Sequence, residues 1–338
     1  MDKNNNLLTK LNLRDNFMRY LSLVALIVLC IAFSIAQNHF LGQANLKNLL
    51  SDSAPLMIMA AGMTSVLLLG SIDLSMGAVC SVSNVLTVLI LNNYGPSLGS
   101  PVLAGIFALI VAVAFGMGAG LLLGFIHVRF KVPSFIASLG FMALWGSVAL
   151  LITAAPVSIL KAEQPSVAWF KTIFNLFGVV PLGLPLIIAF VWIFVVFFLQ
   201  TRTGFGRSIY AIGGNERAAR IAGLDVTRTK ILVFVLSGVC AALGGYFLAG
   251  KLGSSAPTVG DPFTLLIVAA VALGGTSLIG GKGGVIGTLI GVFTVSVIQN
   301  GMNFVGVSAY WQNIVFGIFI LGAIAVSINR SERGFIVK

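Results

Sequence analysis

Few residue types in this sequence could do chemistry, and the most telling is a carboxylate. Asp73 lies in GSIDLSMG, residues 70–77, between Ser71 and Ser75, where a long apolar run breaks. A carboxylate inside or at the edge of an apolar span costs about 3 kcal/mol unless it meets a cavity, water or a partner. Unwound backbone and hydroxyls beside it could line a path for a polar solute. The same residues also make a plain turn or helix cap, in which Asp and Ser hold favoured positions.

A second cluster, GGTSLIGGKGGVIGTLIG at residues 274–291, has the glycines and a lysine, Lys282, of a phosphate-binding loop. It lacks a Lys followed by Ser or Thr at Walker spacing, and no hydrophilic strand-and-helix domain surrounds it, which argues against a nucleotide site. Repeated glycines at near-helical spacing suit closely packed helix surfaces. Cys30, Cys80 and Cys240 sit at unrelated spacings in apolar stretches, and His39 and His127 are the only histidines, so neither a disulfide framework nor a zinc site is expected.

The third feature is a charged island, GGNERAARIAGLDV, residues 213–226, within the most highly charged stretch of the chain, Thr201 to Lys230. Asn215 is a good N-cap, Glu216 puts negative charge in a first turn, and Gly223 suits the left-handed position past a helix end. About seven residues between them make roughly 10 Å of helix at ~1.5 Å per residue, too short to be stable alone in water. It must dock on its own bundle or on a partner. Ala218, Ala219, Ile221 and Ala222 offer a shallow apolar surface beside Arg217 and Arg220. The competing reading is an ordinary cytoplasmic loop whose arginines only set topology.

The elements that must position these groups are membrane helices. Of the 338 residues, 58% are hydrophobic and 9% charged, and the mean hydropathy is +1.06, far from the balance of a soluble domain. Apolar runs of roughly 15 to 25 residues recur throughout, against ~20 needed to cross a ~30 Å hydrocarbon core, and barrel-like alternation is missing. The spans read as 18–36, 53–70, 77–91, 101–126, 134–153, 183–199, 230–250, 263–275, 283–300 and 308–328. The first run is too long for the apolar core of a cleaved signal peptide and reads as a retained span. The chain is thus expected to be a single all-α transmembrane domain over residues 1–338, with about ten helices.

Placing both termini in the cytoplasm leaves only Lys47, Lys161, Lys171 and Lys251 outside. The inside segments then hold Lys3, Lys10, Arg14, Arg19, Arg129, Lys131, Arg202, Arg207, Arg217, Arg220, Arg228, Lys230, Lys282, Arg330, Arg333 and Lys338. That positive-inside bias favours an even span count. The net charge of +11 is therefore topological; dispersed over short connections, it does not form a nucleic-acid stripe. The segment from Ala155 to Gly183 reads as the longest external loop, either resting on the membrane with Trp169 as an anchor or docking an extracytoplasmic partner. GSIDLSMG and GSSAPTVG, residues 253–260, match in register after spans of opposite direction, as an inverted repeat requires.

GSIDLSMG, GGNERAARIAGL and VALGGTSLIGGKGGVIGTLIG together resemble the three signature stretches of the monosaccharide-type ABC importer permeases, the ribose permease family. MAAGMTSVLL, TRTGFGRSIYAIGGN and PSFIASLG match as well, and the similarity runs from about residue 40 to residue 328. The resemblance implies a ten-span subunit of the type II importer class in a bacterial plasma (inner) membrane, paired with an identical or related second permease subunit. It implies cytoplasmic ABC ATPase partners, separate or fused in tandem, and a periplasmic or tethered sugar-binding protein. ATP and magnesium would bind on the ATPase, with no cofactor on this chain.

Under that resemblance residues 201–230 form a cytoplasmic coupling loop, with Gly213, Gly214, Asn215, Glu216, Ala218, Ala219 and Gly223 at the ATPase interface. The chain departs from the family at Ser71 and Met76, at Trp145 where members often show Arg before a Gly, and at TAAPVSI after the fifth span. These departures lie near the outward part of the pathway and leave the cargo open.

The expected activity is uptake of a pentose or hexose by alternating access, with no catalytic residue in this chain. A path for a neutral sugar would carry hydroxyls and amides with few charges. Ser71, Asp73, Ser75 and Asn84 are candidate lining or hinge residues on one side, and Thr258, Asp261 and Asn300 on the other. Competing readings are an ion-driven secondary transporter with Asp73 and Asp261 as coupling carboxylates, a membrane subunit that only anchors a cytoplasmic enzyme, and an importer of a furanosyl signalling compound.

Overall fold

In lipid every backbone N–H and C=O must be satisfied within its own segment, so long apolar runs become helices. The computed structural model of the chain describes residues 22–159 and 184–327. The helices are α1 (Ser22–Ala36), α2 (Gln43–Leu68), α3 (Met76–Tyr94), α4 (Pro101–Arg129), α5 (Ser134–Ile152) and α6 (Leu184–Arg202), followed by α7 (Gly204–Gly214), α8 (Glu216–Ile221), α9 (Val226–Leu252), α10 (Asp261–Leu273), α11 (Val285–Phe304) and α12 (Ala309–Ser327). Two short strands, β1 (Val157–Ser158) and β2 (Ser254–Ser255), pair antiparallel. Lys3, Lys10, Arg14 and Arg19, the loop residues Lys161, Trp169 and Lys171, and Arg330, Arg333 and Lys338 lie outside the described residues.

Among the described residues seven helices, α2 to α6, α9 and α11, are long and apolar enough to cross a membrane, and α1 and α10 are shorter apolar helices. The chain is an all-α, multi-pass membrane protein. Its core is built on α2, α3 and α9, whose facing residues are buried almost continuously. The outer helices α4, α5 and α6 turn apolar side chains outward instead, with Ile110, Leu151 and Phe194 exposed, as a lipid-facing surface requires.

The helix α2 starts well before the apolar run that begins at residue 53. Its polar first turns are helical because their side chains find partners. Asn45 and Asn300 exchange amide hydrogen bonds of 2.8 and 3.0 Å, Asn45 also donates to Phe40 O, and Asp52 pairs with Lys251.

These contacts define the two ends of the bundle. The start of α2 lies beside the end of α9 through Asp52 and Lys251. The end of α2 meets the connection before α11, where Gly281 N donates to Leu68 O at 2.8 Å. The breaks after α2 and after α9 therefore enter the bundle from opposite ends. They meet inside it, where the first turn of α3 packs on the residue preceding α10: a Cβ on Gly77 would come 2.6 Å from Gly260 O, and Gly260 N donates to Ser81 Oγ at 2.9 Å.

Candidate functional site

At the end of the bundle where α2 terminates, the charged island folds as a capped helix. Asn215 Oδ1 accepts from Ala218 N at 2.9 Å, closing the start of α8. At the other end Gly223 has φ +82, Gly223 N donates to Arg220 O and Leu224 N to Ala219 O. This paired closure needs a left-handed residue at that position, which glycine adopts without steric strain. The helix has six residues, one fewer than the spacing suggests, because Ala222 already belongs to the closing turn.

One ion pair fixes α8 to the bundle and a second lies within the helix itself. Glu216 receives Lys230 of α9 at 2.8 Å and Arg220, one helical turn along, at 3.0 Å. The Lys230 hydrogen bond, with the charges of Lys230 and Arg220, holds the Glu216 carboxyl below the usual glutamate range, outweighing the opposite pull of partial burial. Ala219 is the buried residue of α8 and faces inward. Gly214, Asn215, Arg217, Ala218, Ile221 and Ala222 form the exposed face, and Ile221 is 81% exposed. A helix outside the apolar spans thus presents an isoleucine and two alanines beside an arginine.

The glycine-rich stretch supports this helix from below. Any side chain on Gly213 would overlap Leu68 O, and Gly280 and Gly281 pack on Gly70 and on Gly213–Gly214. Tyr210 donates to Gly283 O at 2.9 Å. The ends of α2 and α7 and the connection 274–284 converge here at backbone contact, so the glycines around Lys282 serve close packing. Gln200 closes the junction from α6. Only 2% exposed, it donates to Ser65 Oγ at 3.1 Å and accepts from Val285 N at 3.2 Å.

The central break is a closed polar knot. Asp73 is 2% exposed. Its Oδ1 accepts from Ser75 N at 2.9 Å and Ser75 Oγ at 2.6 Å, and its Oδ2 accepts from Ser237 Oγ of α9 at 2.7 Å. Ile72 N donates to Ser134 Oγ, and Ser138 Oγ donates to Ile72 O, tying the same segment to α5. The carboxylate therefore spends its lone pairs on holding the entrance of α3 between α5 and α9. Ser71 and Ser75 are buried beside it. Asn84 bridges Gly245 O (3.3 Å) and Ala256 N (3.0 Å), linking α3 to α9 and to the break before α10.

Thr258 and Asp261 are exposed at the start of α10, on the second break. Asn300 belongs elsewhere, paired with Asn45 at the opposite end from α8. Of the seven candidate path or hinge residues, six thus gather around the two breaks and one does not. Ser237, Ser134, Ser138 and Gln200 escaped sequence reasoning. Each is a small or amide polar group in a mainly apolar helix, a signal shared with polar residues that merely bond to their own backbone.

Residues 45–324 match the family described as the branched-chain amino acid transport system / permease component. The ribose import permease RbsC of Escherichia coli (strain K12) is 38% identical over 318 residues, covering 92% of this chain and 94% of that protein. The ribose import permease RbsC of Bacillus subtilis (strain 168) is 38% identical over 311 residues, 91% and 92% of the two chains. The galactose/methyl galactoside import permease MglC of Escherichia coli (strain K12) is 31% identical over 331 residues, 95% and 98%. No solved structure matches the chain. With residues 45–324 matched by the family model and 92% of its length covered at 38% identity, the chain belongs to the ribose-type family of ABC importer permeases.

Proposed function

We propose that this chain is the membrane-spanning subunit of an ATP-driven importer of a pentose or hexose. The observation that carries the reading is α8: a doubly capped helix locked to the bundle by Glu216 and Ala219, with an apolar outer face at Ala218, Ile221 and Ala222. Residues 201–230 act as a cytoplasmic coupling loop whose outer face seats in an ABC ATPase. Gly213 and Ala219 contribute by setting the position of α8, while Gly214, Asn215, Ala218 and Gly223 are exposed to the partner.

Ten crossings, with α10 beginning at the inner break, bring both termini to the cytoplasm of the bacterial plasma membrane. The distribution of charge supports that orientation. Arg129, Lys131, Arg202, Arg207, Arg217, Arg220, Arg228, Lys230 and Lys282 are on segments at the end that carries α8, and Lys47 and Lys251 are at the other. The two breaks also behave as halves of an inverted repeat. Gly70 and Gly253 are both left-handed (φ +76 and +64), Gly77 and Gly260 face each other, and Ser81 and Thr264 sit on the opposite glycine.

In the transport cycle, ATP binding draws the ATPase subunits together, α8 moves with them, and α2, α6, α7 and α11 follow through the Gly213 and Gln200 junction. The knots at Asp73 and Asn84 carry this motion to the two breaks, with Thr258 and Asp261 toward the cargo. A second permease subunit and an extracytoplasmic sugar-binding protein complete the machine, and ATP and magnesium stay on the ATPase. Proteoliposomes holding the chain with its ATPase and binding protein should accumulate radiolabelled ribose only with internal ATP and irrespective of ion gradients. Gradient-driven uptake without the ATPase would refute the reading.

A further inference from the structure

A cavity of about 650 Å³ opens between the end of α4, the turn to α5, α8 and the first turns of α9. Its wall carries four cations, Arg129, Lys131, Arg220 and Lys230, and one carboxylate, Glu216. That carboxylate is already engaged by Lys230 and Arg220. Arg129 and Lys131 have no acidic partner among the described residues. Lys131 also holds a left-handed backbone, φ +54, uncommon for a residue with a long side chain.

The cavity is apolar on its remaining side, where Phe125 contributes to the wall. Phe125 and Phe130 are 48% and 65% exposed and meet edge to face at 6.4 Å. Phe125 lies on the outward, exposed surface of α4 and Phe130 follows directly on its last residue. A pocket whose open cations adjoin exposed aromatics fits an amphiphile: an anionic group against Arg129 and Lys131, and hydrocarbon along Phe125 and Phe130.

We propose that this cavity is a binding site for the phosphate of an anionic phospholipid headgroup, held by Arg129 and Lys131 directly behind α8. Lys230 stays on Glu216, so lipid and α8 share one electrostatic cluster, and the occupied pocket steadies α8 in its docked position. This site stands independently of the cargo and of the ATPase, because binding is measured on the permease alone.

The test uses the full chain purified in uncharged detergent, titrated with phosphatidylglycerol or phosphatidylcholine and read by native mass spectrometry and by thermal unfolding. Phosphatidylglycerol should be retained and should raise the unfolding temperature, with phosphatidylcholine doing neither. Removing one juxtamembrane cation weakens lipid binding about five-fold, so the pair Arg129→Gln and Lys131→Asn should weaken it about 25-fold; asparagine tolerates left-handed backbone. Lys282→Gln, the loss of one positive charge at the same end but outside the cavity, should leave binding unchanged.

Inorganic phosphate at millimolar concentration is the second probe, and competition with the lipid is expected. If phosphate stabilises the protein and phosphatidylglycerol does not, the source is a free anion and the lipid assignment falls. Equal retention of the two lipids by the native chain, or equal phosphatidylglycerol binding by native and doubly substituted chains, also overturns it. Should the double variant fail to fold, the lipid comparison on the native chain decides.

Discussion

Replacing Ile221 by Ala separates a docking helix from a loop that happens to be helical. Ile221 is 81% exposed in the chain by itself, so nearly all of its apolar surface is available to a partner. Truncation to alanine removes three carbon groups at about 0.8 kcal/mol each when buried. Incomplete burial in the interface reduces this to about 2 kcal/mol, or about 30-fold in affinity. Titrating the ATPase against permease proteoliposomes should show half-saturation of permease-dependent ATP hydrolysis displaced upward by about that factor, with the saturated rate preserved. The melting temperature of the permease should not move, since Ile221 contributes nothing to its core. Half-saturation equal to that of the native protein would refute docking through this face. A lowered melting temperature with no change in docking would show that Ile221 serves the permease itself.

Ala219→Trp should behave oppositely. The site is 5% exposed and faces the bundle, so overpacking costs about 1–3 kcal/mol of permease stability and lowers the melting temperature before any ATPase is added. At Asp73, alanine leaves Ser237, Ser75 and a buried N–H without their acceptor, while asparagine retains part of the set; thermal unfolding should show Asp73→Ala losing about 3 kcal/mol or more and Asp73→Asn less. Gly213→Ala forces a methyl group onto Leu68 O and should abolish a monodisperse peak in size-exclusion chromatography, whereas Gly214→Ala, with open space around it, should not.

Glu216 has a depressed folded-state pKa, so its contribution is complete above the ordinary glutamate pKa and is lost as pH falls through the lower folded value. Its 43% exposure screens the pairs to under about 1 kcal/mol. Carboxyl NMR should show Lys230→Met raising the Glu216 pKa toward the ordinary value.

Much of the end that carries α8 was legible in the sequence because its signals are local. Asn215, Glu216 and Gly223 act within one or two helical turns, and a cap works the same way wherever the helix is placed. The apolar spans were legible for the same reason, since lipid imposes helix on any long apolar run. Boundaries were less so. The polar first turns of α2 are helical only because Asn300 and Lys251 arrive from residues far along the chain.

The role of Asp73 divides the two kinds of information. From sequence it was an expensive carboxylate with several uses; the structure commits its oxygens to Ser75 and to Ser237, the latter 164 residues away. Likewise the outer and inner faces of α8 depend on where α9 places Lys230, which no spacing within the island reveals.

What the sequence determined by itself was an all-α membrane protein with a short capped helix in its most charged segment, because hydropathy, capping and glycine conformation act over a few residues. The tertiary structure alone decided that Gly77 and Gly260 meet, that Gly213 locks onto Leu68, and that Ile221 rather than Ala219 faces outward. Close approach of backbones and exchange of buried hydrogen bonds depend on which distant helices become neighbours, and that is settled only when the whole bundle packs.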